Sequence, residues 1–292
     1  MMTLRSALSS ADSKAPYVRR LFHTIADRYD LITGLLSFGR DRRWKATLVA
    51  LAGVQPGTRA LDLAAGTGDI AFGLAARGAR VAALDITHRM LQIASGKRHL
   101  SIRGASPLAL PDTLARGGPV PRAARGAPRP GDVSFVTGDM MSLPFQDGAF
   151  DVVTTGYGIR NVPAIEPALG EIRRVLRPGG LLLSLDFDRP ASPVVRIVYL
   201  GYLTVVGSAL GWVLHRDPDT YRYIPESIRR YPGAAGVAAM LSRAGFAGSR
   251  VVPLLGGLLA INIARLPAEV RQDPSPAKAG RPNEVRSADG SR

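Results

Sequence analysis

The feature that most constrains the fold is a series of short apolar runs that alternate with stretches of helical periodicity. The apolar runs span 59–64, 80–86, 133–139, 150–156 and 180–187. Helical patterns occupy 69–78, 88–98 and 166–176. Strands that alternate with helices form parallel strand–helix–strand units, with helices on both faces of the sheet. The sequence therefore predicts an α/β fold with a doubly wound parallel sheet.

The flanking segments predict the rest of the organisation. Residues 17–52 space apolar side chains at helical intervals with a break near 37–39, which predicts N-terminal helices. Segment 101–131 contains six prolines and five glycines, which indicates an insertion that contributes little to the core. We expect a mobile leader over 1–16, a single domain over 17–266, and a disordered tail over 267–292.

An uncharged stretch over 197–214 is long enough to be a candidate membrane-spanning helix. Three glycines interrupt it, namely Gly201, Gly207 and Gly211. We favour a lid helix inside a substrate region over 190–232 and keep a membrane span as the alternative. In either case the apolar character suits an apolar substrate.

The charge balance and the absence of cysteine limit the chemistry. The formal net charge of +15 indicates an anionic partner, which is nucleic acid, an acidic lipid surface or an anionic cofactor, unless it reflects composition bias alone. The chain has no cysteine, which excludes disulfides, thiolate zinc sites and cysteine nucleophiles. We expect no bound metal ion.

A glycine loop follows the first predicted strand in the stretch LDLAAGTGD. Gly66, Thr67 and Gly68 lie in this loop, where glycine lets the backbone approach a ligand closely. Asp85 ends the next strand, and ligands of open parallel sheets bind at the carboxyl ends of the strands. Asp85 is therefore placed to accept hydrogen bonds from the two ribose hydroxyls of a nucleoside cofactor.

Two cofactors compete for this loop. Gly66, Gly68 and Ala71 satisfy the G-x-G-x-x-A pattern of dinucleotide-binding proteins. S-adenosylmethionine is favoured by Asp62 inside the first strand, by Asp139 at the end of the third, and by the helix, Pro-Gly-Gly turn and strand around 173–180. These features occur together in the expected order, so we predict S-adenosylmethionine.

The stretch GYGIRNV brings Arg160 and Asn161 side by side just after the strand over 150–156. The sequence shows no acid close to them. They belong either to a solvated turn with a salt bridge or to a site that stabilises negative charge on a ligand.

With these motifs, the sequence resembles the UbiE/MenG-type C-methyltransferases of menaquinone and ubiquinone biosynthesis from about residue 17 to 264. The N-terminal signature of that family is matched by Tyr29, Asp30, Leu36, Ser37 and Trp44. Asp41 stands where the family prefers His, and Asp186 replaces a usual Glu. GYGIRNV resembles the Phe-Gly-x-Arg-Asn stretch of the family, and DTYRYIPESIRRYP resembles a third family stretch.

The resemblance implies a class I S-adenosylmethionine-dependent methyltransferase fold with N-terminal helices and a helical lid insertion. It implies cofactor contacts at Thr67, Asp85, Asp139 and Met140, to which the loop argument adds Gly66 and Gly68. The implied reaction is C-methylation of demethylmenaquinol to menaquinol, the last step of menaquinone biosynthesis. The alternatives are C-methylation of 2-methoxy-6-polyprenyl-1,4-benzoquinol for ubiquinone, an RNA methyltransferase, and a non-catalytic S-adenosylmethionine-binding protein.

Carbon methylation needs an electron-rich ring, which ionisation of a ring hydroxyl supplies. We predict that Arg160 stabilises the developing phenolate and that Asn161 fixes a hydroxyl or the backbone turn. Tyr29 is the third catalytic candidate. Three proton acceptors stay open, namely Tyr29, Asp30 and a water relayed by Asp219.

The implied partners are a polyprenylated quinol and, by peripheral contact, membrane lipid, without nucleic acid. A homodimer is left open. We expect a cytoplasmic enzyme at the inner face of the membrane, where the basic surface helps docking.

Overall fold

The computed structural model describes residues 4, 8, 10–104, 131–190 and 192–268. Its centre is a seven-stranded sheet of order β3-β2-β1-β4-β5-β7-β6. The strands are β1 (Arg59–Leu63), β2 (Arg80–Asp85), β3 (Val133–Thr137), β4 (Phe150–Gly156), β5 (Leu176–Phe187), β6 (Ala247–Leu254) and β7 (Leu259–Arg265). Strands β1 to β5 pair in parallel, whereas β7 is antiparallel to both β5 and β6.

Nine α-helices lie in the described part of the chain. They are α1 (Ala11–Ile25), α2 (Tyr29–Leu36), α3 (Asp41–Leu51), α4 (Asp69–Ala75), α5 (His88–Gly104), α6 (Ile165–Val175), α7 (Pro193–His215), α8 (Asp219–Arg230) and α9 (Gly233–Arg243). Short 3-10 turns span Ala26–Arg28, Ile159–Asn161 and Leu255–Gly257. The break between α2 and α3 falls at the predicted position.

The sheet is covered on both faces because side chains alternate along each strand. Leu61 of β1 belongs to one buried cluster, which includes Leu169 of α6. Ala60, its neighbour in β1, belongs to the opposite cluster together with Leu48 of α3 and Leu74 of α4. This arrangement confirms the predicted doubly wound sheet.

The sequence argument did not identify β6 and β7. Strand β6 is an edge strand whose first five residues, 247–251, are exposed, so it lacks the apolar alternation that would reveal a strand. Strand β7 is apolar, and four of its first five positions are buried. It does not alternate with a helix, because no α-helix lies between β6 and β7.

The prediction of a mobile leader over 1–16 is wrong for residues 11–16. Helix α1 begins at Ala11, and the side chain of Ser10 caps it in a capping box with Ser13. Helix α1 then buries Val18 and Leu21. A serine followed three residues later by a second capping side chain was the missed signal.

The apolar stretch predicted as a lid forms helix α7, which packs along α8. Its glycines allow this packing, because a Cβ atom at Gly211 would lie 2.5 Å from the carbonyl oxygen of Asp217. A Cβ atom at Gly207 would lie 3.3 Å from the carbonyl oxygen of Tyr221. By length and composition α7 is a candidate membrane span, and only 17% of its most apolar window is buried.

The predicted insertion and the predicted C-terminal tail lie largely outside the described residues. The insertion over 101–131 lies outside the described residues from 105 to 130. The tail over 267–292 lies outside them from 269 onward.

Candidate active site

The glycine loop turns sharply between β1 and α4. Ala64, Gly66 and Gly68 all have positive φ, at 51°, 55° and 89°. A Cβ atom at Gly68 would lie 2.7 Å from the ring of Phe72, so this position needs glycine for both backbone and space. The loop thus brings its backbone close to the carboxyl end of β1.

Asp85 holds this loop against the end of β2. Its Oδ2 accepts a hydrogen bond from the amide of Gly66 at 2.8 Å, and its Oδ1 accepts one from the amide of Thr87 at 2.7 Å. Burial raises the pKa of the Asp85 carboxyl, although these two amides act in the opposite direction. The carboxylate is therefore fixed in orientation before any ligand binds.

A first cavity opens at these strand ends. Four of the six predicted cofactor residues line it, namely Gly66, Asp85, Asp139 and Met140. Helix α1 closes the other side with Ala15, Val18, Arg19 and Phe22. Thr67 and Gly68 do not line this cavity. Thr67 is buried, and its hydroxyl donates a hydrogen bond to Oδ1 of Asp30 at 2.6 Å. Thr67 and Gly68 therefore contribute to the shape of the loop and not to the cavity wall.

The lining of the first cavity fits S-adenosylmethionine. The Asp85 carboxylate lines the cavity at the end of β2, where it would accept hydrogen bonds from ribose hydroxyls. The apolar side chains of Leu84, Ile86 and Met140 line the same cavity and would contact a flat base. Asp139 also lines it and accepts a hydrogen bond from the amide of Met141 at 2.9 Å.

A second, larger cavity of about 540 Å³ adjoins the first. Its walls are mainly apolar and aromatic, and they come from α1, α2, α3, α7 and α8. Phe22, Tyr29 and Tyr157 line both cavities and form their common wall. A methyl donor in the first cavity and an acceptor ring in the second would therefore meet at these three side chains.

Arg160 lines the second cavity, but the expectation that no acid lies near it is wrong. Its Nη1 lies 3.6 Å from Oδ1 of Asp186, and its backbone amide donates to Oδ2 of Asp186 at 3.2 Å. Both side chains are buried. The guanidinium carbon also lies 4.8 Å from the ring centre of Phe187, which adds a cation–π contact. Asp186 is on β5, so a local search of the sequence could not find it.

Asn161 holds the turn after β4. Its Nδ2 donates to the carbonyl oxygen of Tyr157 at 2.7 Å, and its Oδ1 accepts from the hydroxyl of Tyr223 at 2.8 Å. Arg160 Nη1 donates to the same carbonyl of Tyr157 at 3.2 Å. Tyr157 has a φ of 61°, a strained value for a bulky residue, and these contacts stabilise it.

The three proposed proton acceptors are poorly suited to that role. Burial raises the pKa of the Tyr29 hydroxyl to about 12, so it stays protonated at neutral pH. Asp30 pairs with Lys97 at 2.6 Å and does not line the second cavity. Asp219 is also outside that lining, and it pairs with Arg222 at 2.8 Å.

Comparison with known proteins now identifies the relatives. A family model described as the ubiE/COQ5 methyltransferase family matches residues 10–106 and 121–265. This chain belongs to that family. The gap in the match, 107–120, lies within the predicted insertion.

Two curated members of the ubiE/COQ5 family illustrate the similarity. The demethylmenaquinone methyltransferase of Thermus thermophilus is 39% identical over 249 residues, which cover 85% of this chain and all of that protein. The ubiquinone/menaquinone biosynthesis C-methyltransferase UbiE of Ectopseudomonas mendocina is 36% identical over 252 residues, which cover 85% of this chain and 88% of that one. These matches confirm the resemblance predicted from the motifs.

Solved structures share the fold. A crystal structure from Thermotoga maritima, described as an S-adenosylmethionine-dependent methyltransferase and possible histamine N-methyltransferase, superposes with a TM-score of 0.56 at 17% identity. The superposition covers 85% of this chain and 99% of that one. The predicted fold class is confirmed, and with the family it makes this chain an S-adenosylmethionine-dependent C-methyltransferase.

Two residues near the cavities of this ubiE/COQ5 family member were not predicted from the sequence. Asp41 is buried, accepts a hydrogen bond from the Tyr157 hydroxyl at 3.0 Å and pairs with Lys45 at 2.6 Å. Lys14 donates from Nζ to the carbonyl oxygens of Arg160 at 2.9 Å and Val162 at 2.6 Å. Asp41 was noted only as a departure from the family signature, and Lys14 fell within the predicted leader.

Proposed function

We propose that this enzyme transfers a methyl group to a ring carbon of demethylmenaquinol and so produces menaquinol. The curated relatives are named for that reaction or for both the ubiquinone and menaquinone routes. The observation that carries the proposal is the large aromatic cavity that shares Phe22, Tyr29 and Tyr157 with the cofactor cavity. Its volume of about 540 Å³ is within the usual range for small-molecule sites.

The two cavities divide the reaction between them. When bound, S-adenosylmethionine supplies an electrophilic methyl group. The residues of the first cavity bind its nucleoside part, and the shared wall orients the quinol ring towards it. Enclosure by aromatic side chains removes water from the ring, and fixed orientation of two reactants can contribute about 7–11 kcal/mol to lowering a barrier.

Arg160 is the residue that we assign to charge stabilisation. It is the buried cation on the wall of the second cavity, and Asp186 and the Phe187 ring fix its guanidinium. A fixed donor of this kind stabilises negative charge that develops on a ring oxygen. Asn161 acts indirectly. It stabilises the turn at Tyr157, and the Arg160 side chain donates to the carbonyl oxygen of the same turn.

The polyprenyl tail of the substrate is accommodated by helix α7. Its inner side lines the second cavity with Tyr199, Tyr202 and Leu203. Its outer side is an exposed apolar surface formed by Val194, Ile197, Val198, Val205, Trp212 and Val213. Phe38, 76% exposed, stacks on Tyr202 with ring centres 5.8 Å apart and extends that surface past the cavity edge. The cavity thus opens beside an apolar face.

We also propose that the enzyme lies at the inner face of the membrane in contact with one leaflet, and this exposed apolar surface supports the proposal. The net charge of +15 favours anionic lipid. Sedimentation with anionic phospholipid vesicles tests this. We expect Ile197→Ser/Val205→Ser to lose vesicle binding, whereas the control Val251→Ser, an exposed valine on β6, keeps it. Equal binding by both variants would contradict this docking surface. A homodimer stays a prediction that light scattering tests.

The experiment for the reaction itself is a comparison of two quinols. Reduced demethylmenaquinone and 2-methoxy-6-polyprenyl-1,4-benzoquinol are each incubated with enzyme and S-adenosylmethionine, and products are identified by mass. We expect methylation of the naphthoquinol. Methylation of the benzoquinol as well would extend the function to the ubiquinone route, for which the Ectopseudomonas mendocina relative is also named. Methylation of neither would overturn the proposal.

A further inference from the structure

The second cavity contains one carboxylate among the described residues that line it, and that carboxylate is Asp41. The other ionisable side chains of this wall are tyrosines and the two arginines Arg40 and Arg160. Methylation of a phenol-type ring needs a group that takes the hydroxyl proton. Arginine cannot do so at neutral pH, and Tyr29 has its pKa raised to about 12 by burial.

Asp41 is held in a defined orientation. It begins helix α3, where its backbone amide donates to Oγ of Ser37 at 3.2 Å. Its Oδ2 pairs with Lys45 at 2.6 Å, and its Oδ1 accepts from the hydroxyl of Tyr157 at 3.0 Å. Each oxygen retains a further lone pair. Because Tyr157 is part of the common wall, this carboxylate is close to the place where the two cavities meet.

The hydrogen bond between Asp41 and Tyr157 joins two distant parts of the chain. The two positions are 116 residues apart, yet the Tyr157 hydroxyl donates directly to the Asp41 carboxylate. A phenylalanine at position 157 would have no hydroxyl to donate, so this orientation of the carboxylate depends on the tyrosine.

We propose that Asp41 accepts the proton of the quinol hydroxyl and that Tyr157 is the positioning residue that orients its carboxylate. This inference rests on the proposed function. The O–H bond breaks, its proton binds a carboxylate oxygen of Asp41, and its electron pair moves into the ring. The ring carbon then forms a bond to the methyl group while the carbon–sulfur bond breaks and its electron pair stays on sulfur. Loss of the ring C–H proton and reprotonation of the oxygen restore the aromatic quinol, so one proton is released overall.

The charges around Asp41 suit this role. Burial acts to lower the pKa of the Lys45 ammonium, but Tyr29, Asp41 and Asp69 outweigh it and raise that pKa. Lys45 therefore stays charged, and it also pairs with Asp69 at 2.9 Å. The Asp41 carboxylate faces Lys45 and Tyr157 directly, and Asp69 lies behind Lys45. The other ionisable side chains on the wall of the second cavity are Arg40, Arg160, Tyr29, Tyr199, Tyr202, Tyr221 and Tyr223.

The first test measures binding without S-adenosylmethionine. 1-Naphthol and naphthalene are titrated into wild type, Asp41→Asn and Tyr157→Phe. We expect Asp41→Asn to bind 1-naphthol about five- to tenfold more weakly because a charged acceptor becomes neutral. Naphthalene, which lacks the hydroxyl, should bind all three equally. A parallel loss for both ligands would mean that Asp41 only supports the wall.

The second test uses the pH profile of kcat for reduced demethylmenaquinone. Asp41→Asn should lower kcat about 10²–10⁴-fold, the usual contribution of a general base. Asp41→His supplies another side chain that can accept a proton and should recover most of kcat. The acidic limb of the pH profile of kcat for this variant should shift upward towards about pH 6.5, the ordinary pKa of histidine. A purely structural aspartate would not move that limb.

The outcomes separate this inference from the proposed function. An active wild type whose Asp41→Asn variant keeps its kcat and acidic limb overturns the role of Asp41 and leaves the function intact. A wild type that methylates neither quinol overturns the function and the proton transfer with it, and a naphthol-specific loss would then show only that Asp41 accepts a hydrogen bond from a ring hydroxyl. If Asp41→Asn does not fold, the acidic limb of Asp41→His decides alone, because its position is set by the residue that takes the proton.

Discussion

The two adjoining cavities are built in different ways. The first is formed mainly by strand ends and the loops that follow them, within 64–66, 84–90, 138–140 and 156–163. The second draws on side chains from residue 21 to residue 258, carried by helices α1, α2, α3, α7 and α8 as well as the sheet. A site made of strand ends has a local signature in the sequence, whereas a site assembled from distant helices has none.

The charges of the two cavities are fixed by different partners. In the first, the carboxylates of Asp85 and Asp139 accept hydrogen bonds from backbone amides of the loops at the strand ends. In the second, Arg160 depends on Asp186 and Asp41 depends on Lys45. Removing a charge from the second cavity therefore leaves a buried partner charge behind, so substitutions there affect stability as well as chemistry.

The largest expected effect tests this dependence at Arg160. Arg160→Met removes the charge and its donors, and we expect kcat to fall about 10²–10³-fold, as when one oxyanion donor is lost. We also expect a loss of about 3–5 kcal/mol in the free energy of unfolding because Asp186 becomes a buried unpaired charge. Single-turnover methylation and urea unfolding measure the two effects, and cofactor affinity should barely change.

A double variant separates the two effects of Arg160. Arg160→Met/Asp186→Asn removes both charges, so much of the stability should return while kcat stays low. Recovery of kcat together with stability would show that Arg160 serves only to neutralise Asp186. Arg160→Lys keeps the charge without the planar guanidinium and should be partly active.

The sequence predicted the first cavity better than the second for a physical reason. Gly66, Asp85 and Asp139 were predicted because each lies at the end of a strand of recognisable pattern, whereas Met140 was implied by the family resemblance. Arg160 was located by its motif, but its partner Asp186 was not, since β4 and β5 meet only in the folded sheet. Asp41 lies 116 residues from Tyr157, and no local pattern could reveal that contact.

The fold shows the same contrast. The five parallel strands and the helices between them were predicted because the alternation of periods is a local property. The antiparallel strands β6 and β7 were missed, because β6 is an exposed edge and no α-helix separates it from β7. The start of α1 was also missed, since its capping serine lies in a polar stretch.

The next largest effect concerns the first cavity. Asp85→Asn should weaken S-adenosylmethionine binding about 10- to 150-fold, because hydrogen bonds to a charged group contribute roughly 1.5–3 kcal/mol. Asparagine keeps one acceptor for the Gly66 or Thr87 amide, so the loop should stay folded. Calorimetry measures the affinity, and 1-naphthol binding in the second cavity should not change.

The matched control for Asp85 is Asp27→Asn. Asp27 is exposed and pairs with Arg89 at 2.6 Å, so its removal alters the net charge equally without touching either cavity. We expect unchanged cofactor affinity there. If Asp85→Asn weakened cofactor and naphthol binding to the same degree, the two cavities would not be independent, and the contrast between them would fail.

The smallest effect concerns helix α1. This helix borders both cavities, so a change in it should affect the cofactor cavity and the second cavity together. Lys14 anchors this helix to the carbonyl oxygens of Arg160 and Val162. Burial, with Arg160 and Arg230, lowers the pKa of the Lys14 ammonium to about 8, although Asp186 opposes the shift. In the unfolded chain that pKa is about 10.4.

Between pH 8 and about 10.4 the unfolded chain binds more protons at Lys14 than the folded one, so the free energy of unfolding rises with pH in this window. Because Lys14 is only partly buried, we expect roughly 1 kcal/mol after solvent screening. Urea unfolding across the window, compared between wild type and Lys14→Met, isolates this increment, which the variant should lack. Lys97→Met removes an ammonium from α5 and leaves Lys14 in place, so it should keep the increment.

Lys14→Met should also weaken S-adenosylmethionine and 1-naphthol binding together, because α1 is a wall of both cavities. A loss for one ligand alone would mean that the helix serves a single cavity.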